Sequence, residues 1–401
     1  MKKDDVLTPM LRFGSFNGAW KKRQIVNVCE LISGQHLSPD EYVNSPTDTP
    51  YFTGPSDFTN SESELSKWSL VHAKVAINND ILITVKGSGV GEMMLLKLPK
   101  VAMGRQLMAI RSKAVNDIRF IYFRLSKNKK LYEALASGNM IPGLSRQDIL
   151  QTKLFIPCHQ EQQKIADFLS AVDEKIRLLK EKHALLQQYK KGVMQKLFSQ
   201  EIRFKDDNGQ AFPDWEMRTL SDIAEPIKRR APEAIDCVMT ISAGQGFLHQ
   251  KDRFSQVIAG TSLDKYTHIR KGEFSYNRGN SKSYTYGCIY KLDTEEEALV
   301  PYVYRSFRLK EGNADFYAQL FAFKYLDKQL RRLISSSARM DGLLNIGEKD
   351  FYQVRVPFPC LEEQTKIADF LQALDKKLNA VQQQIDLTQT FKKGLLQQMF
   401  V

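Results

Sequence analysis

The sequence predicts an α+β protein made of two similar globular units, each followed by one long helix. The two helices are expected to pair as an antiparallel coiled coil about a pseudo-twofold axis. Three observations predict this. One segment occurs twice at a fixed spacing. Each copy carries an apolar stripe with heptad spacing. The stretches between the copies are long and apolar enough for cores of their own, with 401 residues and 42% hydrophobic content, more than the ~250–300 residues over which one core usually extends.

The repeat comes first because it organises the rest. Residues 157–169 read PCHQEQQKIADFL and residues 359–371 read PCLEEQTKIADFL. The step that carries Pro157 to Pro359 also carries Asp173 and Lys175 to Asp375 and Lys377. It carries Lys190-Lys191-Gly192 to Lys392-Lys393-Gly394, and Phe198 to Phe400, without a gap. Each copy starts after a proline, contains none, and is rich in Gln, Lys, Leu, Ala and Glu, so it reads as a helix. Apolar residues fall at Ile165, Leu169, Val172, Ile176, Leu179, Leu186, Val193 and Leu197. In the second copy they fall at Ile367, Leu371, Leu374, Leu378, Val381, Ile385, Leu395 and Met399. Alternating steps of four and three mark a coiled-coil seam. His183 and Lys190 interrupt the first seam, and Thr388 and Lys392 the second. Two helices duplicated within one chain pack most economically on each other. Binding of each helix to a separate partner chain is the alternative.

The expected boundaries are a first globular domain at 1–156, a first helix at 157–200, a second domain at 201–358 and a second helix at 359–401. The globular units repeat more faintly. Leu11-Arg12-Phe13, Trp20 and a strand-like Ile25/Val28 run open the first. Ile202-Arg203-Phe204, Trp215 and Leu220/Ile223 open the second. The matched tryptophans read as core. A buried strand at 79–85 enters the glycine loop Lys86–Gly91, and its counterpart at 272–277 enters Arg278-Gly279-Asn280-Ser281. Asp148–Gln151 mirrors Asp350–Gln353. Divergent globes on matched helices are expected where the globes read different things and the helices share one task.

Net charge is +12, distributed as +7, +3, +2 and 0 over those four segments, a balance that suits contact with a polyanion. Catalytic equipment is missing. There is no G-x-x-x-x-G-K-[ST] loop, no G-x-S-x-G elbow and no Asn/Asp-Pro-Pro-aromatic motif, and the Gly87/Gly89/Gly91 run lacks dinucleotide-fingerprint spacing. The five cysteines form no C-x-x-C pair, and with the six histidines they form no cluster at zinc spacing. Reduced cysteines and no metal are therefore expected. With no apolar run of membrane length and no apolar stretch behind the basic start, a soluble, cytoplasmic protein is expected.

The doubled motif resembles the specificity (S) subunit of type I restriction-modification systems. Pro157, Glu161, Gln162, Lys164, Ile165, Ala166 and Leu169 carry the resemblance, and Pro359, Glu363, Gln364, Lys366, Ile367, Ala368 and Leu371 carry it again. An Arg-Phe and tryptophan open each unit, and Lys-Lys-Gly lies near both helix ends. The resemblance implies two target-recognition domains, each reading half of a bipartite double-stranded DNA site. It also implies helices that act as spacer and dock two methyltransferase subunits. Those partners carry S-adenosylmethionine, and restriction subunits join through the complex, so this chain supplies address rather than chemistry in DNA methylation and bacterial defence. The docking candidates are the repeated polar residues Gln162, Lys164, Asp167, Lys190 and Lys191, with Gln364, Lys366, Asp369, Lys392 and Lys393.

Reading a duplex requires Arg, Lys, Asn and Gln on rigidly held loops, with other basic groups on phosphates. In the first domain the candidates are Lys86, Ser88, Arg105 and Gln106. In the second they are Arg278, Asn280, Ser281, Lys282, Tyr284 and Tyr286, with Lys228, Arg229 and Arg230 as phosphate contacts. For any one of these residues taken alone, the plainer reading is a solvated loop residue. Two other classes of function compete: a coiled-coil adaptor whose globes bind proteins, and a self-contained enzyme.

Overall fold

The computed structural model describes residues 6–113, 116–137, 143–232, 235–253, 263, 265–279, 281–334 and 343–401. The chain divides into two units. One holds the residues up to Glu181 together with Gln382–Val401, and the other holds Lys182–Val381. The long helices run His159–Phe198 and Leu361–Gln398, so each contributes one half to each unit.

The first unit is built on a four-stranded antiparallel sheet ordered Cys29–Ser33, Leu107–Ser112, Ile81–Thr84, Met93–Leu95. Ile81, Leu82 and Ile83 are wholly buried because both sheet faces are covered. A second sheet places Trp20–Gln24 between Val6–Leu7 and Lys153–Ile156, and a third pairs Lys100–Met103 with Val75–Ile77 and Tyr51–Phe52. Helix Ile118–Ser126 closes the core, capped by the Asp117 carboxylate on Arg119 N.

The second unit repeats the scheme with different side chains. Its four-stranded antiparallel sheet is ordered Ala224–Pro226, Arg305–Leu309, Phe274–Asn277, Cys288–Lys291. Glu216–Thr219 pairs with Arg355–Phe358, and helix Ala314–Ala322 is capped by Asn313. Its core is more aromatic, with Phe274, Phe307, Phe316 and Phe351 fully buried. The Ile25/Val28 run is one helical turn, Ile25–Val28, and not a strand; Leu220–Ile223 does the same. Two buried apolar residues three apart share a helix face, whereas in a strand they would point to opposite faces.

The repeated motif acts at the start of each long helix. Glu161, 1% exposed, accepts Arg12 Nε and Nη2 at 2.7 Å each and Trp20 Nε1 at 3.3 Å. Glu363, wholly buried, accepts Arg203 Nε at 3.1 Å, Arg203 Nη2 at 2.8 Å and Trp215 Nε1 at 2.8 Å. The hydrogen-bonded carboxylates raise the pKa of both arginines. The adjacent Phe13 and Phe204 pack edge-on against Phe168 and Phe370. Trp20 is core, as expected, while Trp215 is half-buried at the edge of its core.

In each unit the helix halves run antiparallel. In the first, Ile165, Leu169, Val172 and Ile176 share a core with Leu395, Met399 and Phe400, and Phe400 packs on Trp20 and Phe120. In the second, Met194, Leu197 and Phe198 share a core with Ile367, Leu371 and Leu374, and Phe198 packs on Phe316 and Phe323. Each helix thus ends by placing its phenylalanine in the core headed by the other copy. Lys392 Nζ meets Asp173 at 2.5 Å in the first unit, and Lys190 Nζ meets Asp375 at 2.5 Å in the second.

Replacing Glu161 or Glu363 by Ala strands an arginine and an indole N–H, and should cost about 3–5 kcal/mol in urea unfolding monitored by tryptophan fluorescence. Glutamine, which still offers an acceptor oxygen, should cost less. Equal and small losses for both substitutions would contradict a structural role for the buried charge.

Candidate nucleic-acid interface

In the first unit two loops meet at the end of the four-stranded sheet. Strand Ile81–Thr84 and buried Val85 lead to exposed Lys86 and Ser88. Gly87 and Gly91 adopt φ of 91° and 83°, a left-handed conformation open to glycine, and Gly91 N donates to Thr84 O at 2.9 Å to close the loop. Arg105 and Gln106 form the exposed turn between Lys100–Met103 and Leu107–Ser112, and Val85 N donates to Gln106 O at 2.7 Å. The fold therefore gathers Lys86, Ser88, Arg105 and Gln106 into one exposed polar cluster. A Cβ on Gly54 would lie 2.7 Å from the Gln106 side-chain oxygen, so a residue without a side chain makes room for that amide.

In the second unit the candidates separate. Arg278 lies in an open cleft with Lys228 and Arg305, lined further by Tyr302, Tyr304, Glu348 and Tyr352. Its Nε donates to Val303 O at 3.2 Å, and its carbonyl accepts Leu344 N at 2.9 Å, which holds the guanidinium in place. Arg305 donates to the carbonyls of Gly347 and Ile346 and lies over the Phe351 ring. Burial, then the neighbouring Arg278 charge, lowers its pKa. Sequence reasoning missed Arg305, the first residue of strand Arg305–Leu309, because no loop or glycine motif marks it; its pairing with Tyr276 brings it beside the loop that carries Arg278.

Arg229 is not an open phosphate contact: its guanidinium is taken up by Glu273 and donates to His268 O at 3.3 Å. Arg230 and Lys228 are exposed. Ser281 and Lys282 are exposed on a turn closed by reciprocal Ser281–Tyr284 backbone bonds of 3.2 and 3.1 Å. Tyr284 lies under Lys324 Nζ at 4.2 Å, and Tyr286 packs on the core. These two rings are spent inside the fold. Asn280 lies outside the described residues.

The docking candidates also divide. Gln162 and Gln364 are 2% and 0% exposed, which removes them from any partner surface. Gln162 donates to Pro157 O at 3.0 Å and accepts Asp117 N at 3.0 Å; Gln364 donates to Pro359 O at 2.7 Å and accepts Asn313 N at 2.8 Å. Each joins its helix start to the cap of the helix closing its core. Lys190 and Lys392, read as docking residues, are committed to the ion pairs with Asp375 and Asp173 instead. A charge facing the opposite helix across a seam finds a carboxylate there, which also explains why lysine interrupts the stripe. Asp167 pairs with Arg119 and Lys366 with Asp207. Lys164, Lys191, Asp369 and Lys393 are exposed. A feature absent from the sequence reading is an apolar pair outside the seam, Leu185/Tyr189 on the first helix and Leu387/Phe391 on the second, each residue more than half exposed. The four-residue spacing and the repeat relate the two pairs, and both were visible in the sequence.

No described helix is long and apolar enough to cross a membrane. Comparison with known proteins follows the same twofold division. The family model described as the type I restriction modification DNA specificity domain matches residues 17–188 and again 213–389. The chain is 23% identical over 350 residues to the type I restriction enzyme MjaVIII specificity subunit of Methanocaldococcus jannaschii, covering 82% of this chain and 80% of that one. The crystal structure of the type I restriction-modification S subunit from M. genitalium shares the fold, with a TM-score of 0.61 at 19% identity over 98% of this chain and 99% of that one. A chain from a structure addressing complex assembly of the type I system matches with a TM-score of 0.50 at 16% identity, covering 94% and 95%.

A double-mutant cycle on Lys190→Ala and Asp375→Ala should show coupling of about 0.5–1 kcal/mol in unfolding of the chain alone, as should Lys392→Ala with Asp173→Ala. Strictly additive losses would mean that these lysines serve something other than the seam.

Proposed function

We propose, from the premise that this chain belongs to the type I restriction modification DNA specificity family, that it is the address-bearing subunit of a cytoplasmic methylation and restriction complex. Each unit reads one half of a bipartite site in double-stranded DNA. The observation that carries this reading is that two specificity domains occupy two units with the same four-stranded sheet order, while the polar groups at their loop ends differ. Lys86, Ser88, Arg105 and Gln106 form the reading cluster of the first unit. Arg278, Ser281 and Lys282 serve the second, with Lys228, Arg230 and Arg305 holding phosphates. The loops are closed by main-chain hydrogen bonds and the Arg278 guanidinium donates to Val303 O, so these groups start from a fixed frame, which favours selective contact over diffuse attraction.

The chain carries no chemistry of its own in this reading. Methyltransferase subunits bring S-adenosylmethionine, and restriction subunits join through the assembled complex. Two copies of one methyltransferase dock on the repeated helix surface, which offers each copy the same apolar pair, Leu185/Tyr189 or Leu387/Phe391, beside exposed Lys191 or Lys393. Exposed aromatic and aliphatic groups at i and i+4 are the anchors that a partner helix uses.

Selection of the purified chain, with its methyltransferase partner, against random duplexes tests the reading. Two short fixed blocks separated by unread positions are expected, and an adaptor would enrich nothing. Exchanging residues 201–358 for another such domain should alter one block and leave the other intact; a change in both would end the two-reader account. Lys228→Ala should weaken binding to all sequences alike and reduce the slope of log affinity against log salt by about 1. A loss confined to one base position would reassign Lys228 to base reading.

A further inference from the structure

Three side chains of the second unit, distant in sequence, meet beside its smaller strand pairs. Cys237 leads into strand Met239–Ser242, and His249 ends strand Gly246–His249, with Met239 opposite His249 in the pairing. Glu295 lies just before strand Glu297–Val300, and Leu299 N donates to Cys237 O at 2.8 Å, which holds that segment alongside. Cys237 Sγ is 4.0 Å from His249 Nδ1, and His249 Nε2 is 3.0 Å from Glu295 Oε1. One sulfur, one ring nitrogen and one carboxylate oxygen lie within 4.8 Å of one another, and all three residues are partly exposed.

We propose that Cys237, His249 and Glu295 bind a divalent cation of the zinc class, with the fourth position open to water. The donor set selects the ion. A thiolate and an imidazole favour zinc or cobalt, whereas magnesium and calcium require oxygen ligands. Metal–ligand bonds of ~2.0–2.3 Å put tetrahedral neighbours ~3.3–3.7 Å apart, closer than the 4.8 Å span of the three donors. Because Cys237 and Glu295 face opposite nitrogens of His249, binding requires the imidazole to turn until one nitrogen faces both. On binding, the Cys237 thiol gives its proton to solvent as the metal–sulfur bond forms, and His249 exchanges one hydrogen bond for coordination. The ion would tie three segments of the unit together. A search for short Cys/His spacings misses it because the ligands are brought together by strand pairing, 12 and 46 residues apart. This inference is independent of the DNA reading.

The test uses the full chain, freed of metal with a chelator and titrated with Co²⁺. One equivalent should produce a thiolate-to-cobalt charge-transfer band and tetrahedral d–d bands, both erased by Zn²⁺. Cys237→Ser should abolish the charge-transfer band. His249→Ala and Glu295→Gln remove direct ligands and should weaken binding by more than the ~10–100-fold that losing an outer-shell partner costs, with far-ultraviolet circular dichroism confirming that each variant folds. In the unaltered chain, Zn²⁺ should also protect Cys237 from alkylation, read by peptide mass spectrometry. Absence of the band, its survival in Cys237→Ser, or equal alkylation with and without Zn²⁺ would overturn the site.

Discussion

A carboxylate buried at the start of each long helix is the constraint on which the rest of the molecule depends. Removing an ion from water costs several kcal/mol unless charge and hydrogen bonds replace the lost hydration. Glu161 and Glu363 meet that demand with an arginine fork and an indole N–H drawn from the segment that opens the unit. Their place in the first helical turn adds the favourable field of the helix N-terminus. Because an arginine fork has a defined geometry, it fixes how the opening segment meets the helix. The neighbouring glutamine then fixes the helix against the cap of another one. Two adjacent residues of the motif thus locate three elements of each unit.

The same duplication explains the helix ends. Phe198 and Phe400 occupy equivalent positions in the repeat, and each lies in a core that begins with the other copy's sequence. Neither globular unit is therefore complete from one contiguous half of the chain. Deleting one helix end removes part of a core as well as part of the seam.

Translational self-similarity made the architecture legible before any coordinates. Matched prolines, the heptad stripe and the Arg-Phe…Trp openings are local patterns, and the buried seam residues follow them closely. Interactions that depend on long-range pairing were not legible. Nothing beside Lys190 names Asp375 as its partner, and nothing beside Gln162 shows that its amide turns inward to Pro157 and Asp117. The run Ile25-Val26-Asn27-Val28 looked strand-like because three of its four residues are β-branched; the common burial of Ile25 and Val28 reveals a helical turn. In the candidate interface, the Lys86 loop is tied to the Gln106 turn by a backbone hydrogen bond from Val85 N to Gln106 O just beyond the paired strands, and Arg305 enters through the register of its strand. Function divides along the same line: shared residues build the frame, and the polar loop ends that it carries differ between the units.

Mapping methylated adenines genome-wide in cells that express this chain with a methyltransferase partner tests the central claim most directly. The account predicts one bipartite motif, two short defined blocks at a constant separation of unspecified bases, that disappears when this chain is deleted. A continuous motif, or methylation unchanged by the deletion, would contradict it.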